Sequence, residues 1–388
     1  MADITSLLGS IRNIPTPFYF YDLELLRKSL DEVKKHGLSK GYKVHYAMKA
    51  NANPRILEVI RQYHLGADAV SSNEVKAALA AGFPKEEIVF AGVGKSDEEI
   101  MVGLQNDIFC FNCESAQEVE VINELAGRMG KKAKIALRIN PNVDAKTHHY
   151  ITTGMKENKF GLPPKEIDQV IDKLPQLANI QLTGIHFHIG SQVTSLESYT
   201  QLAQRANDFN AYFRSKGIEL QHVNVGGGLG IDYVDPKGNP VPDFKSYFEV
   251  FEKHMKLAPE QELHFELGRA IVGQCGSLIS KVLYNKEGET IKFLIIDAGM
   301  TELIRPALYQ AHHFIENITS QSQAYETYDV VGPICESSDA FRKGIELKQS
   351  KRGDLLAIRS AGAYGEVMMS RYNLRDNAKT YFDIDLNR

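Results

Sequence analysis

The sequence predicts a (β/α)8 barrel of the TIM type followed by a smaller, mainly β domain. Three observations predict it. Between about residues 40 and 270, short runs rich in Val, Ile and Phe alternate with amphipathic stretches about eight times. Several of those stretches open on Ser-x-x-Glu, a helix start signal. Beyond about residue 275 strand-like runs persist while helical ones thin out. A doubly wound sheet is the competing architecture for the first part.

Asp22 opens an amphipathic helix that Gly37 closes. The candidate barrel strands then follow as 43–48, 67–70, 88–91, 108–111, 134–140, 182–188, 222–225 and 263–267. They read as near-continuous apolar runs, as buried parallel strands do. Ser71 with Glu74, Ser96 with Glu99 and Ser115 with Glu118 fit capping boxes, and Gly82 suits a helix end. Later strand-like runs are 292–296, 328–331 and 355–358. Residues before Asp22, with the run Phe18-Tyr19-Phe20, suit a strand of the second domain. The expected division is a barrel over 22–275 and a mainly β domain over 1–21 plus 276–388. No internal repeat or low-complexity tract is present.

At 388 residues the chain can bury a sizeable core without disulfides. Apolar residues make up 43% and the formal net charge is −4, which gives no electrostatic footprint for nucleic acid. Cys110 and Cys113 have redox or zinc spacing, but no second pair follows and both sit in an apolar run, so they read as core cysteines. The N-terminal residues carry no basic, apolar or cleavage signal, and no apolar run spans a bilayer. A cytoplasmic protein with reduced thiols is expected.

In such barrels the active site forms at the C-terminal ends of the strands. The first strand leads into Tyr46-Ala47-Met48-Lys49-Ala50-Asn51. A desolvated lysine there is suited to form a Schiff base. Asp68 and Ser71 follow the second strand, Arg138 and Asn140 end the fifth, and His186-Phe187-His188-Ile189-Gly190-Ser191 end the sixth. The seventh runs into Gly226-Gly227-Gly228-Leu229-Gly230, where barrels commonly hold a phosphate, although a plain tight turn would read the same. The eighth ends Glu266-Leu267-Gly268-Arg269. An unpaired charge at Glu266 would be costly, so it needs a cationic partner: a protonated pyridine nitrogen, or Arg269. His186 and His188 are assigned to opposite faces of their strand, which argues against one metal held by both. The pairs His148-His149 and His312-His313 lack acidic or cysteine partners, so no metal site is expected.

These residues together resemble the fold-type III pyridoxal-phosphate decarboxylases of the alanine racemase and ornithine decarboxylase type, and among them the diaminopimelate decarboxylases. The likeness runs through 46–51, 147–161, 186–192, 226–230, 266–269, 297–309, 332–339 and Ala363-Tyr364, nearly the whole chain. It implies that Lys49 carries pyridoxal 5'-phosphate covalently, that His188 stacks on the ring, and that Glu266 partners the ring nitrogen. Gly226, Gly227, Gly228, Gly268, Arg269 and Tyr364 would hold the phosphate, with Ser191 nearby. Arg269, Arg305, Tyr309, Glu336 and Tyr364 would bind substrate, and Cys335 would act as general acid. The family implies a homodimer, with Cys335 and Glu336 donated by the partner subunit.

The run Cys335-Glu336-Ser337-Ser338-Asp339 implies diaminopimelate decarboxylation to L-lysine and CO2, the last step of lysine biosynthesis. Ornithine and arginine decarboxylases usually carry Asp after the cysteine, and a substrate lacking a distal carboxylate would leave a buried arginine unpaired. The alternatives are a decarboxylase of ornithine, lysine or arginine, an alanine-racemase-like enzyme, and a non-catalytic cofactor-binding regulator. One departure from the family pattern is Leu267 in place of proline, which suggests a looser phosphate turn.

Overall fold

A computed structural model describes residues 4–143 and 159–386. The chain forms two units. A sheet unit takes the segment up to Ser29, Ile231–Pro242 and the chain from Arg269 onward; a barrel unit takes Leu30–Gly230 and Asp243–Gly268. These limits differ from the expected 22 and 275, and the excursion at 231–242 carries Pro236, Gly238, Pro240 and Pro242.

The chain begins the sheet unit with β1 (Phe18–Tyr21). The barrel strands follow: β2 (Lys43–Ala47), β3 (Gly66–Ala69), β4 (Ile88–Phe90), β5 (Cys110–Cys113), β6 (Ala133–Arg138), β7 (Ile180–His186), β8 (His222–Asn224) and β9 (Glu262–Leu267). They close in sequence order into a barrel, and β9 pairs parallel with β2. All eight candidate runs form strands, with ends displaced by at most two residues.

The strands alternate faces, with residues two apart on the same side. In β9, Phe265 packs outward against Tyr247, Phe248 and Phe251 of the Phe244–His254 helix, while His264 and Glu266 face inward. In β7 and its extension, Phe187 meets Phe209 of the Leu196–Ser215 helix, while His186 turns in towards Glu266. His186 and His188 therefore share a face. The expectation of opposite faces is corrected by the period itself. Cys110 and Cys113, three apart, lie on opposite faces of β5, both buried.

Near the strand starts the barrel is filled by rings. His264 lies 5.1 Å from His45, 4.8 Å from His222 and 5.4 Å from Phe109, centroid to centroid. His45 Nδ1 contacts the Glu87 carbonyl at 3.0 Å and its Nε2 contacts His264 Nδ1 at 2.9 Å. Burial, then the neighbouring His264, pushes the His45 pKa down to about 3, so His45 is uncharged here.

The helix starts depart from the expected pattern. Ser96 and Glu99 form a full capping box. Ser71 and Ser115 cap their helices, but Glu74 and Glu118 reach one residue further back, accepting from the N–H groups of Val70 and Glu114. That extra reach leaves Glu118 able to pair with Lys95, itself buried under the carbonyls of Gly92 and Asn112. Gly82, at φ 84°, ends the Ser72–Ala80 helix in the left-handed conformation.

The sheet unit holds β10 (Gly276–Glu287), β11 (Lys292–Ile296), β12 (Ile315–Asn317), β13 (Tyr325–Val331), β14 (Ala340–Lys348), β15 (Leu355–Ile358) and β16 (Lys379–Phe382). Their order is β12-β15-β10-β11-β13-β14, and β1 pairs antiparallel with β10 and parallel with β16. Among the described residues no helix is long and apolar enough to cross a membrane.

Ser96→Ala removes the acceptor for the Glu99 N–H and is expected to cost about 1 kcal/mol. Equilibrium unfolding in urea measures this, and an unchanged midpoint would contradict the capping role.

Candidate active site

Lys49 follows β2 in a single 3-10 turn, Met48–Ala50. Its Nζ donates to Asp68 Oδ2 at 3.0 Å, across from β3, where Asp68 is fully buried. Asp68 Oδ1 has no hydrogen-bond partner among the described residues. Burial first, then the charge of Glu266, raises the Asp68 pKa to about 7 against the lowering pull of Lys49.

Glu266 lies opposite. Its Oε1 accepts from Asn112 Nδ2 at 3.1 Å and from Asn224 Nδ2 at 2.8 Å. Its Oε2 lies 2.9 Å from His186 Nε2. A carboxylate has no hydrogen to give, so His186 donates. Burial alone would raise the Glu266 carboxyl. The charges of His186 and Lys49 and the histidine hydrogen bond outweigh it and hold the group well below the usual carboxylate range. Three strands thus supply donors to one ionised side chain.

His188 is pushed well below its ordinary pKa, chiefly by burial and then by Arg138 and Lys49. It is held neutral on the side of the barrel where Lys49 and Glu266 lie. Its Nδ1 is 3.5 Å from the Gly227 N–H. Arg138 is paired with buried Glu114, whose other oxygen accepts from the Gly161 N–H, and its guanidinium lies 4.6 Å above the Phe160 ring. The family-like stretch 147–161 otherwise falls largely outside the described residues, since 144–158 are not among them.

The glycine run has no room for side chains. A Cβ on Gly226 would lie 2.2 Å from the Phe187 carbonyl oxygen, and on Gly227 1.7 Å from that of Glu266. On Gly228, at φ 101°, it would lie 2.4 Å from the Gly190 oxygen, next to Ser191. The run lets the ends of β7, β8 and β9 close together. Leu267 stays within β9, opposite Tyr46 and buried, and Gly268 packs on Ala47 and Ala50.

In the sheet unit, Arg269 and Arg305 are both buried. Arg269 Nη1 donates to Tyr233 Oη at 2.6 Å and Arg305 Nη1 to the same oxygen at 2.7 Å. Arg305 also meets His313 Nε2 at 3.1 Å, and its Nε has no partner among the described residues. Tyr364, at φ 55°, places its ring 4.8 Å from the Arg269 guanidinium. Tyr309 ends the Arg305–Tyr309 helix, half-buried. Tyr233 and His313 were not anticipated. Neither sits in a periodic element that would have marked it.

Cys335 and Glu336 lie exposed on a turn. Buried Asp339 anchors it, accepting from the N–H groups of Met300 at 2.6 Å and Ile334 at 2.7 Å. The Glu336 carboxylate accepts from the Tyr372 hydroxyl at 2.6 Å.

The Asp68 shift has a direct consequence. Its folded pKa lies above the ordinary value of about 4, so the folded state holds the extra proton. The stability this gives is full below about pH 4 and is lost as pH rises through about 7. In cofactor-free protein, Asp68→Asn should therefore gain melting temperature relative to wild type as pH rises across that window. A difference that stays flat or shrinks would rule out the shift.

The chain is similar to known proteins along nearly its whole length. Residues 24–273 match the family model described as "Pyridoxal-dependent decarboxylase, pyridoxal binding domain". The chain is 55% identical over 380 residues to a diaminopimelate decarboxylase of Bacteroides thetaiotaomicron, covering 98% of each. It is 38% identical to that of Aquifex aeolicus, covering 96% of this chain and 88% of the relative. The crystal structure of diaminopimelate decarboxylase from Helicobacter pylori complexed with L-lysine superposes with a TM-score of 0.90 at 38% identity, covering 96% of this chain and 93% of that one. Asp68 beside Lys49, the ionised Glu266 and the glycine run are thus features of a chain that belongs to the pyridoxal-dependent decarboxylases, in the diaminopimelate decarboxylase family.

Proposed function

We propose that this protein decarboxylates meso-2,6-diaminopimelate at its D-centre, giving L-lysine and CO2, with pyridoxal 5'-phosphate as cofactor. The full-length 55% identity to a diaminopimelate decarboxylase carries this reading. Buried Arg305, whose Nε lacks a partner among the described residues, favours a substrate that keeps a second carboxylate.

The residues present fit the cofactor. Lys49 offers a primary amine at a strand end, Glu266 is kept ionised, and the glycine run lets backbone approach where any Cβ would collide. When bound, the cofactor supplies an electron sink for the pair left by the departing carboxylate. Lys49 would hold it covalently. His188 would cover the ring, with its neutral imidazole adding no charge there. Glu266 would accept a hydrogen bond from the ring nitrogen and so hold a proton on that atom. Gly226, Gly227, Gly228, Gly268, Arg269, Ser191 and Tyr364 would hold the phosphate.

Arg305, Arg269, Tyr309 and Tyr364 would bind the carboxylate that the substrate retains, and Glu336 its distal ammonium. Cys335 would deliver the proton that replaces CO2 on the D-carbon. The exposure of Cys335 and Glu336 supports a homodimer in which each subunit lends them to its partner. The reading also takes the enzyme to act in the cytoplasm.

Purified protein with added pyridoxal phosphate should release CO2 from meso-diaminopimelate and form L-lysine, but release none from the L,L-isomer. Cys335→Ala should lower kcat at least about 100-fold, the usual weight of a general acid. Release from ornithine, lysine or arginine instead would move the assignment to another substrate.

A further inference from the structure

We propose that the barrel binds one proton near its strand starts: a hydrogen-bonded row from the Glu87 carbonyl through His45 and His264 to Glu262 holds one hydrogen more than its neutral groups supply, and that hydrogen fastens β9 to β2 where the barrel closes. The proposal is independent of the reaction proposed above and stands on a count of donors.

The row has three contacts. His45 Nδ1 lies 3.0 Å from the Glu87 carbonyl oxygen, His45 Nε2 lies 2.9 Å from His264 Nδ1, and His264 Nε2 lies 3.2 Å from Glu262 Oε2. Both ends only accept. Neither a carbonyl nor an ionised carboxylate has a hydrogen to give, so each terminal contact needs an N–H from its histidine. The central contact needs a third hydrogen, on one of the two facing nitrogens. A neutral imidazole carries a single N–H. Two imidazoles therefore bring two hydrogens to three contacts. Without a further proton, two lone pairs oppose each other at hydrogen-bond distance between buried rings. With it, all three contacts are made and the charge is paired with Glu262.

The geometry also locates that proton. Uncharged His45 uses its single hydrogen on the Glu87 carbonyl and accepts at Nε2. His264 then carries both N–H groups and is the cation. Its hydrogen bond holds the Glu262 carboxyl below the usual carboxylate range, so the proton stays off the carboxylate. The Phe109 ring stacks on His264 at 5.4 Å and 17°, a distance at which an aromatic face attracts a cation. Gly66 on β3 makes the first contact possible: a Cβ there would lie 2.3 Å from the Glu87 oxygen and 2.5 Å from His45 Nδ1.

Other charges surround the row. Lys43 Nζ lies 3.9 Å from the second Glu262 oxygen, and Lys134 Nζ lies 6.0 Å from the Phe109 centroid. Glu266 favours a charged His45 without overcoming its burial. His222, 4.8 Å from His264, is driven well below its ordinary value by burial and takes no proton. A cavity of about 640 Å³ opens beside the row, and Lys34, Tyr42, Tyr63, His64, Glu86 and Glu87 also line it. Lys34, His64 and Glu86 are exposed, so water screens them.

Unfolded histidine gives up its proton above about pH 6.5, whereas the folded row keeps one. The stability this gives is full below that pH and is lost as pH rises through the point where the folded protein releases the proton. Glu262→Gln removes the need for it. The Glu262 side chain is 47% exposed, and a glutamine amide in its place can donate to His264 Nε2. Glu262→Ala removes the third contact altogether and serves the same comparison should Glu262→Gln not fold.

The test is nitrogen-15 NMR of the full-length protein with pyridoxal phosphate bound and its histidines labelled. At pH 7.5 an ordinary histidine is about one-tenth charged. Wild type should show a mostly charged imidazolium, both ring nitrogens protonated, that becomes neutral in the Glu262 variant; its absence from His264→Gln identifies it. The melting temperature of wild type minus that of the variant should fall between pH 6.5 and pH 9. No imidazolium at pH 7.5 that depends on Glu262 overturns the proposal, whether or not His264→Gln folds. A melting difference that is flat or rises across that range overturns the fastening role.

Discussion

An ionised carboxylate inside a barrel must be satisfied by the barrel. Glu266 takes donors from Asn112 on β5, His186 on β7 and Asn224 on β8, while its own strand closes the circle against β2. Only a closed parallel sheet in this register brings those side chains to one point. Much else follows from that charge. It raises the neighbouring Asp68, it opposes the desolvation of His188, and it requires β8 and β9 to end close together. The glycines at 226–228 meet that last requirement, because at each one a methyl group would overlap a carbonyl oxygen of β9 or of the segment that follows β7.

The two units handle charge in opposite ways. The barrel keeps a buried anion among neutral amides and a histidine. The sheet unit keeps two buried cations around a phenol and a neutral imidazole. Histidines near both sites are forced neutral by burial, His188 in one and His313 in the other. Each then serves as shape and hydrogen-bond partner without altering the local charge.

The barrel was legible because its strands are short apolar runs set apart by helix signals. Lys49 and Glu266 were legible as polar residues at strand ends, where burial makes charge expensive. Polarity within a strand was ambiguous, however. His45, His222 and His264 are as polar as His188, yet they fill the barrel near the strand starts. Only position along the strand separates the two sets. Face assignment needed a correct count of the two-residue period, which places His186 and His188 together. Tyr233 was not legible at all, since it lies in a loop where no period applies, and its importance comes from Arg269 and Arg305, which are distant in sequence. The reach of Glu74 and Glu118 past their caps was hidden for a similar reason: the motif is the same, and only the backbone in front of it differs.

The strand β1 has a further consequence, for how the protein is made. Phe18–Tyr21 are synthesised before both of their partners, β10 at Gly276–Ile279 and β16 at Lys379–Phe382. Its four aromatic side chains are all buried in the finished structure. On the ribosome every barrel strand emerges before either partner does. The nascent chain must therefore carry an apolar, unpaired strand for most of its synthesis, and the sheet unit can close only once its last strand is free of the exit tunnel.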